Sequence, residues 1–321
     1  MRMFAPFVGC ALTATTVAAM IVGAASAQAA QLATGDSRHV SQPTVPAVCT
    51  TLTSTLAAPG NRRFASGQET APPDTARIQS ALNSCAGSGK AVALAASGGN
   101  NAFLSAPLTV KQGETLLVVP GATLFASANA AQYQIAGKPT CGTVQSSSGG
   151  CAPFLSVTGA DAAVMGTTSG SGSFGRIDGR GDVTLVGGTE SWYQLALDAK
   201  NAGKNQNNPT LIVGSANNFI LYDVDLLNSP FFHVVFRSAD GFTAWGVRIF
   251  TPDTAKNTDG IDPNAATDVT ITNSWLQDGD DCVAIKGGNG PSRNITVSNN
   301  HCYGTHGLSI GSETNAGVTN V

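Results

Sequence analysis

Asn218-Phe219-Ile220-Leu221, Gly241-Phe242-Thr243-Ala244, Asp268-Val269-Thr270-Ile271, Asn294-Ile295-Thr296-Val297 and Gly317-Val318-Thr319 are versions of one beginning. Their apolar second residues, Phe219, Phe242, Val269, Ile295 and Val318, recur at intervals of 23, 27, 26 and 23 residues. Each unit carries a second short run: Val234-Val235-Phe236, Gly260-Ile261-Asp262, Ala284-Ile285-Lys286, Ser309-Ile310-Gly311. A period in the twenties, with two or three short strands per unit and no helix between them, is a solenoid pattern. One such unit cannot bury its apolar face alone, so coils stack and inward residues form continuous columns. The pattern predicts an all-β chain wound as a parallel β-helix. Leucine-rich repeats share the period but need a regular Leu and Asn pattern, which this sequence lacks.

Upstream, short apolar runs broken by turn residues continue the strand reading: Ala91-Val92-Ala93-Leu94, Leu108-Thr109-Val110, Thr115-Leu116-Leu117-Val118-Val119 and Thr123-Leu124-Phe125. Residues 137–209 are rich in Gly, Ser and Asn and read as strands with long excursions. Before them, Asp74 to Cys85 places apolar residues at Ile78, Ala81 and Leu82, with Asp74 as candidate N-cap, which predicts a short helix capping the N-terminal end of the fold. Residues 28–47 are polar and Pro-containing and read as a flexible leader, with order beginning near Cys49. Residues 1–27 combine Arg2, an apolar run and a small-x-small site, the make-up of a secretory signal peptide, and predict an exported, extracellular protein.

Export sets the cysteine reading. Cys10 leaves with the signal, and six cysteines remain, at 49, 85, 141, 151, 282 and 302. An even number in an oxidising compartment reads as three disulfides. Connectivity does not follow from counting; proximity points to Cys49 with Cys85, Cys141 with Cys151 and Cys282 with Cys302. No pair has the tight spacing a zinc site favours, and neither metal nor cofactor is expected. The mature balance of 16 basic against 20 acidic residues, with no basic patch, argues against nucleic acid. No later segment is apolar for long enough to span a bilayer. A monomer is expected.

The repeat converts spacing into geometry. If Ile261, Ile285 and Ile310 share one inward column, then Asn257, Asp281 and His306, each four positions earlier, share another. Asp259 lies two residues further along the same outward face, since strand side chains alternate. Adjacent strands are about 4.8 Å apart, so Asp259, Asp280, Asp281 and His306 gather on one patch of a groove, in a chain only 12% charged. Two carboxylates flanking a glycosidic bond can hydrolyse it, one donating a proton to the leaving oxygen and the other activating water. A carboxyl crowded by other negative charges keeps its proton more readily, as the acid role needs.

Asn257-Thr258-Asp259, Gly279-Asp280-Asp281 and His306-Gly307 followed by Leu308-Ser309-Ile310-Gly311-Ser312 resemble three of the four signature segments of the polygalacturonases, family 28 of the glycoside hydrolases. The resemblance runs from about Cys49, takes in Asn228-Ser229-Pro230 and Trp245-Gly246-Val247, and is closest to bacterial members. It implies a right-handed parallel β-helix that hydrolyses α-1,4 links of polygalacturonate with inversion; endo against exo action stays open, with a lean to endo. It implies Asp280 as general acid, Asp259 and Asp281 as the pair holding the attacking water, His306 as support for the acid, and Asn257 as a groove residue. It also supports the pairing of Cys282 with Cys302.

Two departures stand out. Thr305 occupies a position usually Gly or Ser, where β-branching would shift the turn aiming His306. The fourth segment, an Arg-x-Lys that binds substrate carboxylates, is absent before Val321, so the chain reads as C-terminally incomplete, with Lys256, Lys286 and Arg293 as substitute cations and Lys286 expected to bind substrate. Rival readings are a rhamnogalacturonan hydrolase, a Ca²⁺-dependent pectate lyase using the three aspartates, or a non-catalytic polysaccharide-binding solenoid.

Overall fold

The computed structural model describes residues 35–170 and 172–321; the signal segment lies outside the described residues. The chain winds through three sheets in which every strand pairing is parallel. The first sheet runs from Val48–Thr53 to Val318–Thr319, the second from Ala102–Ser105 to His301–Cys302, and the third from Leu108–Val110 to Leu308–Ile310. One strand from each sheet makes a coil, as in Asp240–Trp245, Arg248–Phe250 and Ile261–Asn264. The architecture is a right-handed parallel β-helix.

Its core is the stack of inward columns. Phe219, Phe242, Val269 and Ile295 occupy one register in the first sheet, as the repeat predicts, and all are essentially buried. Phe242 stacks on Phe219 at 5.2 Å and on Phe236 at 5.0 Å. The last unit differs: Val318 pairs with Ser292, three positions before Ile295. The residues that open the repeats are Asn, Gly or Asp for a conformational reason. Asn218, Gly241, Asp268 and Asn294 all have positive φ, where other side chains are strained. At Gly241, with φ of 85°, a Cβ would also sit 2.6 Å from Asn218 Oδ1, so any other residue would be strained and would have to displace the Asn218 side chain. The columns end at Leu308 and Ile310, whose side chains are exposed.

The helix Thr75–Cys85 buries Ile78, Leu82 and Cys85 against the core. Asp74 occupies the N-cap position as expected, but its carboxylate makes no capping bond; it accepts from Leu104 N at 2.9 Å and pairs with Arg77. The disulfides join Cys49 to Cys85, Cys141 to Cys151 and Cys282 to Cys302. Residues 35–47, expected as flexible leader, instead lie along the first sheet: Gly35 N donates to Thr296 Oγ1 at 2.7 Å, Ser37 Oγ to Asp268 at 2.7 Å and Gln42 to Tyr222 Oη at 2.8 Å. The stretch 137–209 is also not only strands and excursions. It holds the helix Trp192–Ala202, with Ser191 accepting from Gln194 N and Gly203 closing it in the left-handed region. Among the described residues no helix is long and apolar enough to cross a membrane.

Candidate active site

The site forms on the turns that enter three consecutive strands of the third sheet, Ile261–Asn264, Val283–Ile285 and Leu308–Ile310. Their register is Ile261 opposite Val283 opposite Leu308, with Ile285 opposite Ile310. The column expected through Ile261 and Ile285 is therefore two residues out of step. Counting back two positions from each paired residue sets Asp259, Asp281 and His306 in one column, and Asn257 one pair of positions earlier. A slip of two preserves the face, because side-chain alternation has period two. The acidic residues and the histidine still converge.

Local sequence explains how the turns hold. Thr258 is fully buried; its hydroxyl donates to Ala255 O at 2.9 Å and accepts from Gly279 N at 2.9 Å, binding the turn of Asp259 to the turn of Asp280. Gly279 is required by that closeness, since a Cβ would lie 1.9 Å from Ala255 O. Gly260 N donates to Asp281 O and Cys282 N to Gly307 O, continuing the ladder beneath the site. Thr305 joins the histidine turn through its hydroxyl, which accepts from Gly307 N at 3.0 Å.

His306 Nδ1 lies 3.2 Å from Asp280 Oδ1 and 4.0 Å from Asp281 Oδ1. Ser309 Oγ donates to Asp281 Oδ2 at 2.7 Å and fixes that carboxylate. Asp259 is 4% exposed, and its Oδ1 has no hydrogen-bond partner among the described residues. Burial pushes the Asp259 carboxyl up to about 6; the Lys286 charge opposes this and the Asp280 charge adds to it. Lys286 Nζ reaches Asp262 at 2.9 Å, Glu313 at 3.1 Å and Asp259 at 3.4 Å. Burial works against its ammonium, but Asp262 and Asp259 outweigh burial and hold it above the ordinary lysine range. Burial, then the Asp259 charge, keeps Asp262 far above the carboxylate range. Of the other cations considered, Lys256 lines the cleft beside Asn257, whereas Arg293 sits in the first sheet, opposite Thr267, away from the site.

Three supporting residues were not singled out from sequence. His233 is fully buried, with Nδ1 donating to Thr258 O at 3.0 Å and Asp259 O at 3.1 Å and Nε2 accepting from Thr251 Oγ1 at 2.8 Å. Burial pushes its pKa down to about 4, so it stays neutral beneath the Asp259 backbone. Asp278 is fully buried and accepts from Asp280 N at 3.0 Å; burial, with the charges of Asp259, Asp280 and Asp281, pushes it up to about 8. Asp262 is the third. The parity of the strand Ile261–Asn264, where Asp262 alternates with inward Ile261, was the signal for it; His233, in an apolar run, gave none.

Two clefts meet at Asn257 and Asp280. One, of about 220 Å³, holds Asp259, Asp281, Lys286, Ser309 and Glu313; the other, of about 490 Å³, runs past His306 toward the end of the helix Trp192–Ala202. Asp280 therefore lines both clefts.

Residues 121–321 match the model of glycosyl hydrolases family 28. The chain belongs to family 28. The match contains all three motif segments, from Asn257 to Ser312. Family-28 relatives include an endo-polygalacturonase of Pectobacterium carotovorum subsp. carotovorum, 44% identical over 289 residues, which are 89% of this chain and 66% of the relative. A polygalacturonase of Ralstonia solanacearum is 39% identical over 94% of this chain and 64% of its own length. The solved polygalacturonase from Erwinia carotovora ssp. carotovora superposes with TM-score 0.78 at 43% identity, over 89% of this chain and 70% of that one. The chain thus spans just under two thirds of the length of these curated relatives.

Proposed function

We propose that this family-28 chain carries the catalytic turns of a secreted, monomeric endo-polygalacturonase that hydrolyses α-1,4-galacturonosyl links of pectin with inversion. The observation that carries this reading is the column of Asp259, Asp281 and His306 with Asp280 against His306, set where two clefts join. Asp280 gives its proton to the leaving glycosidic oxygen. Asp259 and Asp281 hold the attacking water between them, Asp259 through its unpartnered Oδ1 and Asp281 through the oxygen that Ser309 does not occupy. His306 orients Asp280, and Asn257, at the junction of the clefts, contacts the sugar. Lys286, expected to bind substrate, is engaged by three carboxylates and in this reading sets the charge of Asp259 instead. The name of the Pectobacterium relative and the resemblance of the motifs support the endo-acting, galacturonan-directed assignment. Export agrees with three disulfides, which persist in oxidising compartments.

The test is release of reducing ends from polygalacturonate, with chelator present and ultraviolet absorbance followed in parallel. Hydrolysis yields reducing ends without an unsaturated chromophore, whereas a chelator-sensitive chromophore would establish a lyase. Asp280→Asn should lower kcat by about 10²–10⁴-fold, the usual contribution of a positioned general acid. Normal turnover by a folded Asp280→Asn overturns the assignment.

A further inference from the structure

The larger cleft is walled by cations that the proposed chemistry does not use. Lys200 comes from the last turn of the helix Trp192–Ala202 and Lys204 from just beyond its cap Gly203, Lys256 from the turn before Asn257, and Phe231 adds an aromatic ring. Among the described residues none of these three lysines forms an ion pair, whereas Lys286 in the smaller cleft is held by Asp259, Asp262 and Glu313. Asp280, at the junction of the clefts, is the acidic residue that lines this one. Lys200, in the last turn, sits where a cation complements a helix C-terminus. That account does not reach Lys204, beyond the cap, or Lys256, which comes from a turn of the β-helix. Like charges lining one cleft repel in the free protein, and a polyanion entering it relieves that repulsion.

We propose that Lys200, Lys204 and Lys256 form a carboxylate-binding subsite for the uronate units on the helix side of the scissile bond. The inference rests on the polygalacturonate reading and deepens it: among the described residues, the cleft-lining lysines outside ion pairs lie on one side of Asp280, so recognition of substrate charge is one-sided. Phe231 offers an apolar surface to a sugar ring, and the three ammonium groups meet carboxylates as screened point charges. The subsite distinguishes free carboxylates from methyl esters, which carry no charge.

The experiment compares wild type with the triple variant Lys200→Gln, Lys204→Gln, Lys256→Gln on polygalacturonate and on highly methyl-esterified pectin. An exposed ion pair is worth about two- to fivefold in affinity, so the triple variant should raise KM on polygalacturonate roughly tenfold or more while kcat stays within about twofold. The wild-type preference for unesterified polymer should shrink by the same factor, and added salt should raise KM in the wild type but scarcely in the variant. The triple Lys→Arg variant should keep the wild-type KM, which a loss of folding or packing would not allow. Unchanged KM and unchanged ester preference in the Gln variant overturn the subsite. Absence of hydrolysis by the wild type overturns the functional reading instead; calorimetric titration with a galacturonate oligosaccharide then tests the lysines, and equal affinity of wild type and Gln variant overturns the subsite.

Discussion

At the residue scale, the site is governed by how much negative charge a dry surface can hold. Asp259 and Asp262 are buried together, and Lys286 is the cation that lies between them. A carboxylate that activates water must be ionised, so with Asp259 pushed up to about 6, activity should fall as pH drops through an apparent value near 6. Lys286→Met removes the charge that lowers Asp259, so the acid limb of the kcat/KM profile should move to higher pH by about one unit or more. The same change leaves buried carboxylates without a counter-charge and should lower stability by about 3–5 kcal/mol. Lys286→Arg, which keeps the charge, should leave the limb nearly in place. An unmoved limb in folded Lys286→Met would mean that another group sets it.

At the element scale, the catalytic side chains sit on turns, and their placement depends on how one turn grips the next. Thr258 is the grip, since its hydroxyl accepts the Gly279 amide two residues before Asp281. Thr258→Val keeps the shape but leaves a buried N–H unsatisfied, at about 1–3 kcal/mol. The loss should appear in kcat as well as in Tm, because small displacements of reacting groups are costly in rate. Thr258→Ser should recover both, and a Val variant that loses stability with kcat unchanged would make the contact purely structural. The same turns show what could be read without coordinates. The repeat and the convergence of Asp259, Asp281 and His306 were legible, because alternation in strands tolerates a two-residue register error between Ile261 and Ile285. The helix Trp192–Ala202 was not, although buried Trp192, Leu195, Ala196 and Ala199 follow helical spacing between Ser191 and Gly203; the surrounding Gly, Ser and Asn obscured it. His233 and Asp278 were hidden for a different reason: His233 acts through backbone contacts with the next coil, and Asp278, whose bond from Asp280 N is local, acts through its burial.

At the scale of the whole molecule, a solenoid that buries carboxylates across several coils has its stability tied to pH. Burial raises Asp278 to about 8 and Asp259 to about 6, and holds Asp262, Asp178 and Asp225 above the ordinary range. A carboxyl with a raised folded pKa binds more protons folded than unfolded, so its contribution is complete below about pH 4 and is lost as pH rises through the folded value. His233, lowered to about 4, acts in the opposite sense: between about 6.5 and 4 the unfolded chain takes up the proton that the folded chain refuses, so falling pH destabilises. One histidine opposes several carboxyls there, and above 6.5 nothing opposes Asp278. Stability should therefore be greatest in mild acid and decline toward pH 9, Asp278 alone accounting for on the order of 4 kcal/mol between pH 5 and 9 at 1.36 kcal/mol per unit. Asp278→Asn keeps an oxygen for Asp280 N and cannot ionise, so its melting temperature should fall less over that range than the wild type's. Thermal unfolding at pH 5, 7 and 9 reads both chains; a wild type whose Tm rises across the series, or falls in parallel with Asp278→Asn, would show that the buried carboxyls ionise in the fold without penalty.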